Sequence, residues 1–285
     1  MSIRTLLVTV RGDGKGEGVL DHALALGRPF DVHIHVVHCR ARAEDLLPYS
    51  TLMTVGMRET ILDAAVKGAE EEEARVRGLF MEYLVNHEIQ LIEEPPAPPG
   101  VTASWHEVKG RQAHVVAVRG RLADVIAVPR PEAGGLGHAT FEAALLETGK
   151  LVLLCPPEPV TTIGRHVCLA WNGSGESARA ASAALPLMEN AEAVTVLTSP
   201  ENTQDELTVD DLVKHLGWHN VNAVVRTLDV SAHEIGGALL DNTKAAGGDV
   251  LVMGGYGHSR RRELVMGGVT RFIAEHTDIP VLMMH

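Results

Sequence analysis

Apolar runs alternate with stretches of helical periodicity along the whole chain. Residues 4–10 (RTLLVTV), 31–38 (DVHIHVVH), 124–129 (DVIAVP) and 150–155 (KLVLLC) read as strands. Several are apolar without interruption, as strands covered on both faces are. Residues 104–108 add another strand. Between them, 19–26, 57–87, 112–122 and 138–147 carry the spacing of helices with one buried face. Residues 39–55 are mixed and predict a loop, and 93–100 (EEPPAPPG) predict a stiff surface connection. Pro156, Pro157 and Pro159 end the series. A second series follows at once. Strands are predicted at 167–171, 193–198, 221–228, 250–253 and 280–284, and helices at 176–188, 205–216 and 232–246. A last helix is opened by His258 or Ser259 and continues through Phe272 and Ile273.

The two series are copies of one unit. Residues 4–12 (RTLLVTVRG) align with 165–173 (RHVCLAWNG), 123–128 (ADVIAV) with 248–253 (GDVLVM), and 148–153 (TGKLVL) with 277–282 (TDIPVL). Self-similarity of this kind is organisational. Each copy reads as strands alternating with helices, which predicts a doubly wound parallel sheet with right-handed crossovers. The expected architecture is α/β with two Rossmann-like domains in tandem, residues 1–157 and 162–285.

At 285 residues the chain has room for two such domains. Its formal net charge of −12 argues against coating nucleic acid or binding an anionic membrane. No apolar run approaches the roughly 20 residues that span a bilayer. The opening residues lack the features of a signal peptide, so a cytoplasmic location is expected. Cys39, Cys155 and Cys168 are far apart and show no metal spacing, and reduced, mostly buried thiols are expected.

The stretch after residue 250 carries the clearest chemistry. Val250, Leu251, Val252 and Met253 end at Gly254, Gly255 and Gly257, and Arg260, Arg261 and Arg262 follow. Glycines let a backbone approach a phosphate, and exposed N–H groups at a helix start favour an anion. A tight strand-to-helix turn without ligand would look similar. No Gly-Lys-[Ser/Thr] follows, which excludes a Walker A loop. The arginine run can serve phosphates or form a solvated helix face. In the first copy the matching loop is PRPEAGGLGH from Pro129 to His138. Pro129 and Pro131 remove two donors and Glu132 adds negative charge, so this copy is expected to have lost the anion-binding loop, though a sulfate-sized anion would still fit at 134–137.

The spacing Gly254, two residues, Gly257, nine residues, Gly267 resembles the G-x2-G-x9-G-[S/T] pattern of the universal stress protein family. Pro280, Val281 and Leu282 resemble its closing strand, and the tandem repeat resembles its two-domain members. One departure is Gly268, where the family has Ser or Thr; Thr270 could supply a hydroxyl instead. Another is Asn172, where the family usually has an acid. The resemblance implies five-stranded units of the adenine nucleotide alpha hydrolase type. It implies ATP or a related adenine nucleotide, with Mg²⁺ as counter-ion, in the second domain. Ala170, Trp171, Asn172 and Leu197 would line the base and ribose. Met253, Gly254, Gly257, His258, Gly267, Gly268, Val269 and Thr270 would line the phosphates. It also implies that the last strands of two units pair, here within one chain, with homodimerisation of whole chains as a further option. Family members act as stress-response regulators. A member that has lost nucleotide and works through an unidentified protein partner is the second possibility. A slow ATPase ranks last, because no general base or metal carboxylate stands in the second loop.

His33 and His35 share one strand face and His38 follows; such a pair could bind zinc, but no third ligand is evident in sequence. Packing or solvent contact is the plainer expectation. No Gly-x-Ser-x-Gly elbow supports a serine hydrolase, and no G-x-G-x-x-G supports a dinucleotide reductase.

Overall fold

The computed structural model describes residues 2–11, 14–40, 55–132, 135, 137–199, 207–231, 233–256 and 268–285. Among the described residues, eleven strands form one sheet. The first half contributes β1 (Thr5–Val10), β2 (His33–Arg40), β3 (Gln90–Leu91), β4 (Thr102–Lys109), β5 (Val125–Pro129) and β6 (Leu151–Cys155). The second contributes β7 (His166–Trp171), β8 (Ala193–Thr198), β9 (Ala223–Thr227), β10 (Val250–Gly254) and β11 (Val281–Met284). The order across the sheet is β3-β4-β2-β1-β5-β6-β11-β10-β7-β8-β9. Every pairing is parallel except one: β11 runs antiparallel to β6, with Leu282 opposite Leu153. The last strands of the two copies therefore meet and close the sheet into a continuous layer.

Side-chain alternation assigns the two faces. In β1, Leu6, Val8 and Val10 join one apolar cluster and Leu7 the other. The first cluster lies under α1 (Gly16–Gly27), α2 (Val55–Asn86), α5 (Gly175–Ala183), α6 (Leu185–Glu189) and α7 (Val209–Trp218). The second lies under α3 (Gln112–Arg119), α4 (His138–Glu147), α8 (Ile235–Ala245) and α9 (Gly268–His276). Both clusters run through both halves, so the core is shared across the β6–β11 seam. The three thiols are free; Cys155 and Cys168 are buried and Cys39 is half-buried.

Three elements differ from the sequence expectation. Among the described residues the first half has six strands rather than five, because Gln90–Leu91 pairs with Thr102 and Ala103 on β4. The helix expected over 176–188 is two helices. Pro186 has no N–H to continue the ladder, and the chain breaks at Ala184. The helix expected over 205–216 starts at Val209, where Thr208 and Asp211 form a reciprocal capping box; residues 205 and 206 lie outside the described residues. Among the described residues no helix is long and apolar enough to cross a membrane.

Candidate functional site

Strands β7 and β10 are neighbours in the sheet but not in sequence, and the helices that follow them, α5 and α9, pack on opposite faces. The gap between their carboxyl ends is the place where open α/β sheets form ligand crevices. A cavity of about 350 Å³ lies there.

The cavity brings together eight of the residues named from sequence: Ala170, Trp171, Asn172, Leu197, Met253, Gly254, Val269 and Thr270. Gly268 is exposed and does not line it. Gly257, His258 and Gly267 lie outside the described residues, as do Arg260, Arg261 and Arg262. Sequence reasoning missed the rest of the wall. Ser174, Glu176 and Ser177 come from the start of α5, Thr198 and Ser199 from the end of β8, and Leu228, Ile235 and Leu239 from the β9–α8 segment.

The approach to α5 is a chain of local hydrogen bonds. The Ser174 N–H donates to Asn172 Oδ1 at 3.1 Å. The Ser174 hydroxyl then accepts from the Ser177 N–H at 3.2 Å and caps the helix. Asn172 thus spends its oxygen on the turn and keeps its amide nitrogen as a donor. Gly254 has a steric reason to be glycine, because a Cβ there would lie 2.6 Å from the Ser177 backbone nitrogen. The close approach sets the start of α5 directly against β10.

Thr270, in the first turn of α9, accepts the Tyr256 N–H at 3.1 Å. Tyr256 sits at φ +63°, a left-handed conformation uncommon outside glycine. Burial pushes its phenol up to about 12. The lower wall is apolar, with Leu197, Leu239 and Met253 all buried. Trp171 is also buried, and its indole N–H finds no partner among the described residues. Glu176 is the one ionisable side chain among the described lining residues. Burial raises its pKa, but its own backbone N–H and Arg179, at 2.7 Å, outweigh that and hold it below the usual carboxylate value.

The corresponding cleft of the first half, at the ends of β1 and β5, measures only about 40 Å³. Lys15 forms an ion pair with Glu132 beside it. Gly137 (φ +101°) caps the start of α4, and a Cβ there would lie 3.3 Å from the Pro131 α-carbon.

The histidines of β2 are absorbed by hydroxyls. His33 Nε2 and His35 Nδ1 lie 3.0 and 3.1 Å from Ser104 Oγ, and His106 Nε2 lies 3.0 Å from the same oxygen. His33 Nδ1 also contacts Thr102 Oγ1 at 2.8 Å. Burial and neighbouring histidines lower His35 to about 4. His38 turns to the other face and stacks on Trp105. No group of three acidic, histidine or cysteine side chains among the described residues could hold a metal ion.

Comparison with known proteins places the fold. Among curated proteins, none matches. A universal stress protein from Archaeoglobus fulgidus superimposes over 98% of this chain and 97% of its own, at 14% identity and a TM-score of 0.64. A putative universal stress protein from Pseudomonas aeruginosa covers 99% of this chain and 93% of its own, at 12% identity and a TM-score of 0.55. Both likenesses extend across the two halves and concern the fold. The model of the universal stress protein family matches residues 164–285. The second half of this chain, with the large cavity, is a universal stress protein domain.

Proposed function

We propose that the second half binds an adenine nucleotide, ATP or a related one with Mg²⁺ as counter-ion, and that the protein is a regulatory stress-response module. The observation that supports this most is the cavity at the β7–β10 switch point. Its volume suits a small organic ligand, and it joins an apolar wall to a few polar groups. Trp171, Leu197 and Met253 offer a surface for a base, and the Asn172 amide nitrogen a donor for a ribose hydroxyl. Val269 and Thr270 stand where phosphates would approach the start of α9. We read residues 1–157 and 162–285 as the two units and the cytoplasm as the location. A binding role fits better than an enzymatic one. Glu176, tied to Arg179, is a poor proton acceptor, and no other ionisable group lines the described wall.

One observation favours a second reading, a nucleotide-free protein acting through protein contacts. The described wall has a carboxylate and no cation, a poor environment for a polyphosphate unless residues 260–262 supply the charge. The test is to purify the protein, denature it, identify released nucleotide by mass spectrometry, and titrate ATP with Mg²⁺ into stripped protein by calorimetry. About one adenine nucleotide per chain is expected. No bound nucleotide and no heat at millimolar ATP would overturn the nucleotide reading and turn the search to protein partners.

A further inference from the structure

The small cleft of the first half is built for a different ligand. Its volume, about 40 Å³, is too small for a nucleoside and suits a tetrahedral oxyanion. Three cationic side chains line it, Arg11, Lys15 and Arg130, and no described lining residue is a carboxylate. Glu132, just outside, neutralises Lys15. Arg130 donates to the Thr277 carbonyl at 2.8 Å and makes no ion pair among the described residues. Arg11 makes no ion pair among the described residues. Glu17, in the first turn of α1, is exposed and lines the neighbouring cavity instead.

Two helices begin at this cleft. The N-caps of α1 and α4 are Lys15 and Gly137, and among the described residues neither helix has a side-chain cap. Their first-turn N–H groups are left as donors with partial positive charge. Thr140, in the first turn of α4, is an independent sign of a ligand. It lines the cleft at 6% exposure, and its hydroxyl has no hydrogen-bond partner among the described residues. Its oxygen is not sealed within the protein but opens to the cleft, so its hydrogen-bonding capacity is left for what enters there. Opposite, the Gln112 amide donates to the Thr9 hydroxyl, which keeps its own proton to give.

We propose that this cleft binds a phosphate-class dianion, either inorganic phosphate or the terminal phosphoryl group of a phosphomonoester whose organic part stays outside. Arg11 and Arg130 supply charge, the two helix starts supply N–H donors, and Thr140 donates its hydroxyl. The site is separate from the nucleotide cavity and does not depend on that reading.

The test is a titration of inorganic phosphate into the full-length ¹⁵N-labelled protein, following the amides of Gly137 and Thr140. Chloride at matched ionic strength and ribose 5-phosphate form the other arms. Saturable shifts with phosphate but not chloride are expected. Thr140→Val and Arg11→Gln should each weaken binding about tenfold, the scale of one charge-assisted hydrogen bond. Arg11 is exposed, so its variant keeps the test sound if Thr140→Val folds poorly. Tighter binding of the ester identifies a phosphomonoester as the ligand, and tighter binding of free phosphate identifies the inorganic ion. Linear shifts shared by chloride, or affinity unchanged in the variants, would overturn the proposal.

Discussion

Asp124 accepts the backbone N–H of Arg4 at 2.8 Å, and so ties the start of β5 to the start of β1. The same carboxylate accepts from Thr5 at 2.9 Å. The second half repeats the latch: Asp249 accepts the N–H groups of Gly164, Arg165 and His166 at 3.0, 3.0 and 3.2 Å. These acids stand at matching places in the aligned segments ADVIAV and GDVLVM. The repeat therefore preserves a fastening between its two central strands as well as a hydrophobic pattern. Asp249→Ala should leave three donors at the head of β7 without their acceptor. A loss of about 2 kcal/mol is expected in urea unfolding. Asp249→Asn keeps one acceptor oxygen and should lose less.

Ala170 is a small, half-buried residue on the wall of the large cavity. Ala170→Leu should fill part of the cavity proposed to take the nucleotide while costing little stability. ATP affinity is expected to fall at least about tenfold, with the unfolding midpoint nearly unchanged. Calorimetry and denaturation on the same sample check both halves of this statement.

Gly268 has open space around the place where a side chain would start: among the described residues, no atom outside its own stretch of helix lies within 4 Å of its would-be Cβ. A hydroxyl residue therefore fits. Gly268→Ser should leave stability within about 1 kcal/mol of the parent, since serine is at least as good as glycine at a helix start. If the cavity holds nucleotide phosphates, the added donor should tighten ATP binding several-fold. Unchanged or weaker binding would place the phosphates elsewhere.

The histidines around Ser104 predict an acid-sensitive first half. His33, His35 and His106 are all lowered, first by burial. For His35, His33, His106 and Arg119 add to the effect, while Glu93 partly opposes it at His33 and His106. Their folded values lie below the unfolded value near 6.5, so the unfolded chain binds more protons in between. Stability is full above about pH 6.5 and falls as pH drops towards about 4. Each such group steepens the fall by up to about 1.4 kcal/mol per pH unit. Urea midpoints measured between pH 7 and 4 should decline less in His35→Gln than in the parent. Equal slopes would show that another group sets the acid limit.

The strands were legible because each is a compact apolar run. Residues 193–198 and 138–147 take up β8 and α4 with the expected bounds. The strand β3 was not legible: Gln90 and Leu91 are both exposed and exist as a strand only through their partners on β4. The cavity was half legible. Glycines and the strand end at Trp171 point to it directly, whereas Ile235 and Leu239 have the i, i+4 spacing of any buried helix face. Ser174, Glu176 and Ser177 sit at the start of the helix predicted from 176, but that they also face the cavity follows from the contact of α5 with Gly254. The third histidine, His106, was out of reach for a similar reason. Only the parallel register, with His35 beside Ser104 and Val37 beside His106, brings it to the same hydroxyl.

The single antiparallel seam, β6 against β11, has a geometric consequence. All strands of one half point opposite to those of the other, so their carboxyl ends lie on opposite rims of one slab. The large cavity and the small cationic cleft therefore face away from each other, about one strand length (roughly 17 Å) apart along the strands and four strand spacings (roughly 19 Å) apart across the sheet. Two occupants could never touch. A partner docked on either rim would sense its own occupant directly and the other only through the stiffness of the shared sheet, which makes the chain a two-ended gauge rather than a doubled pocket.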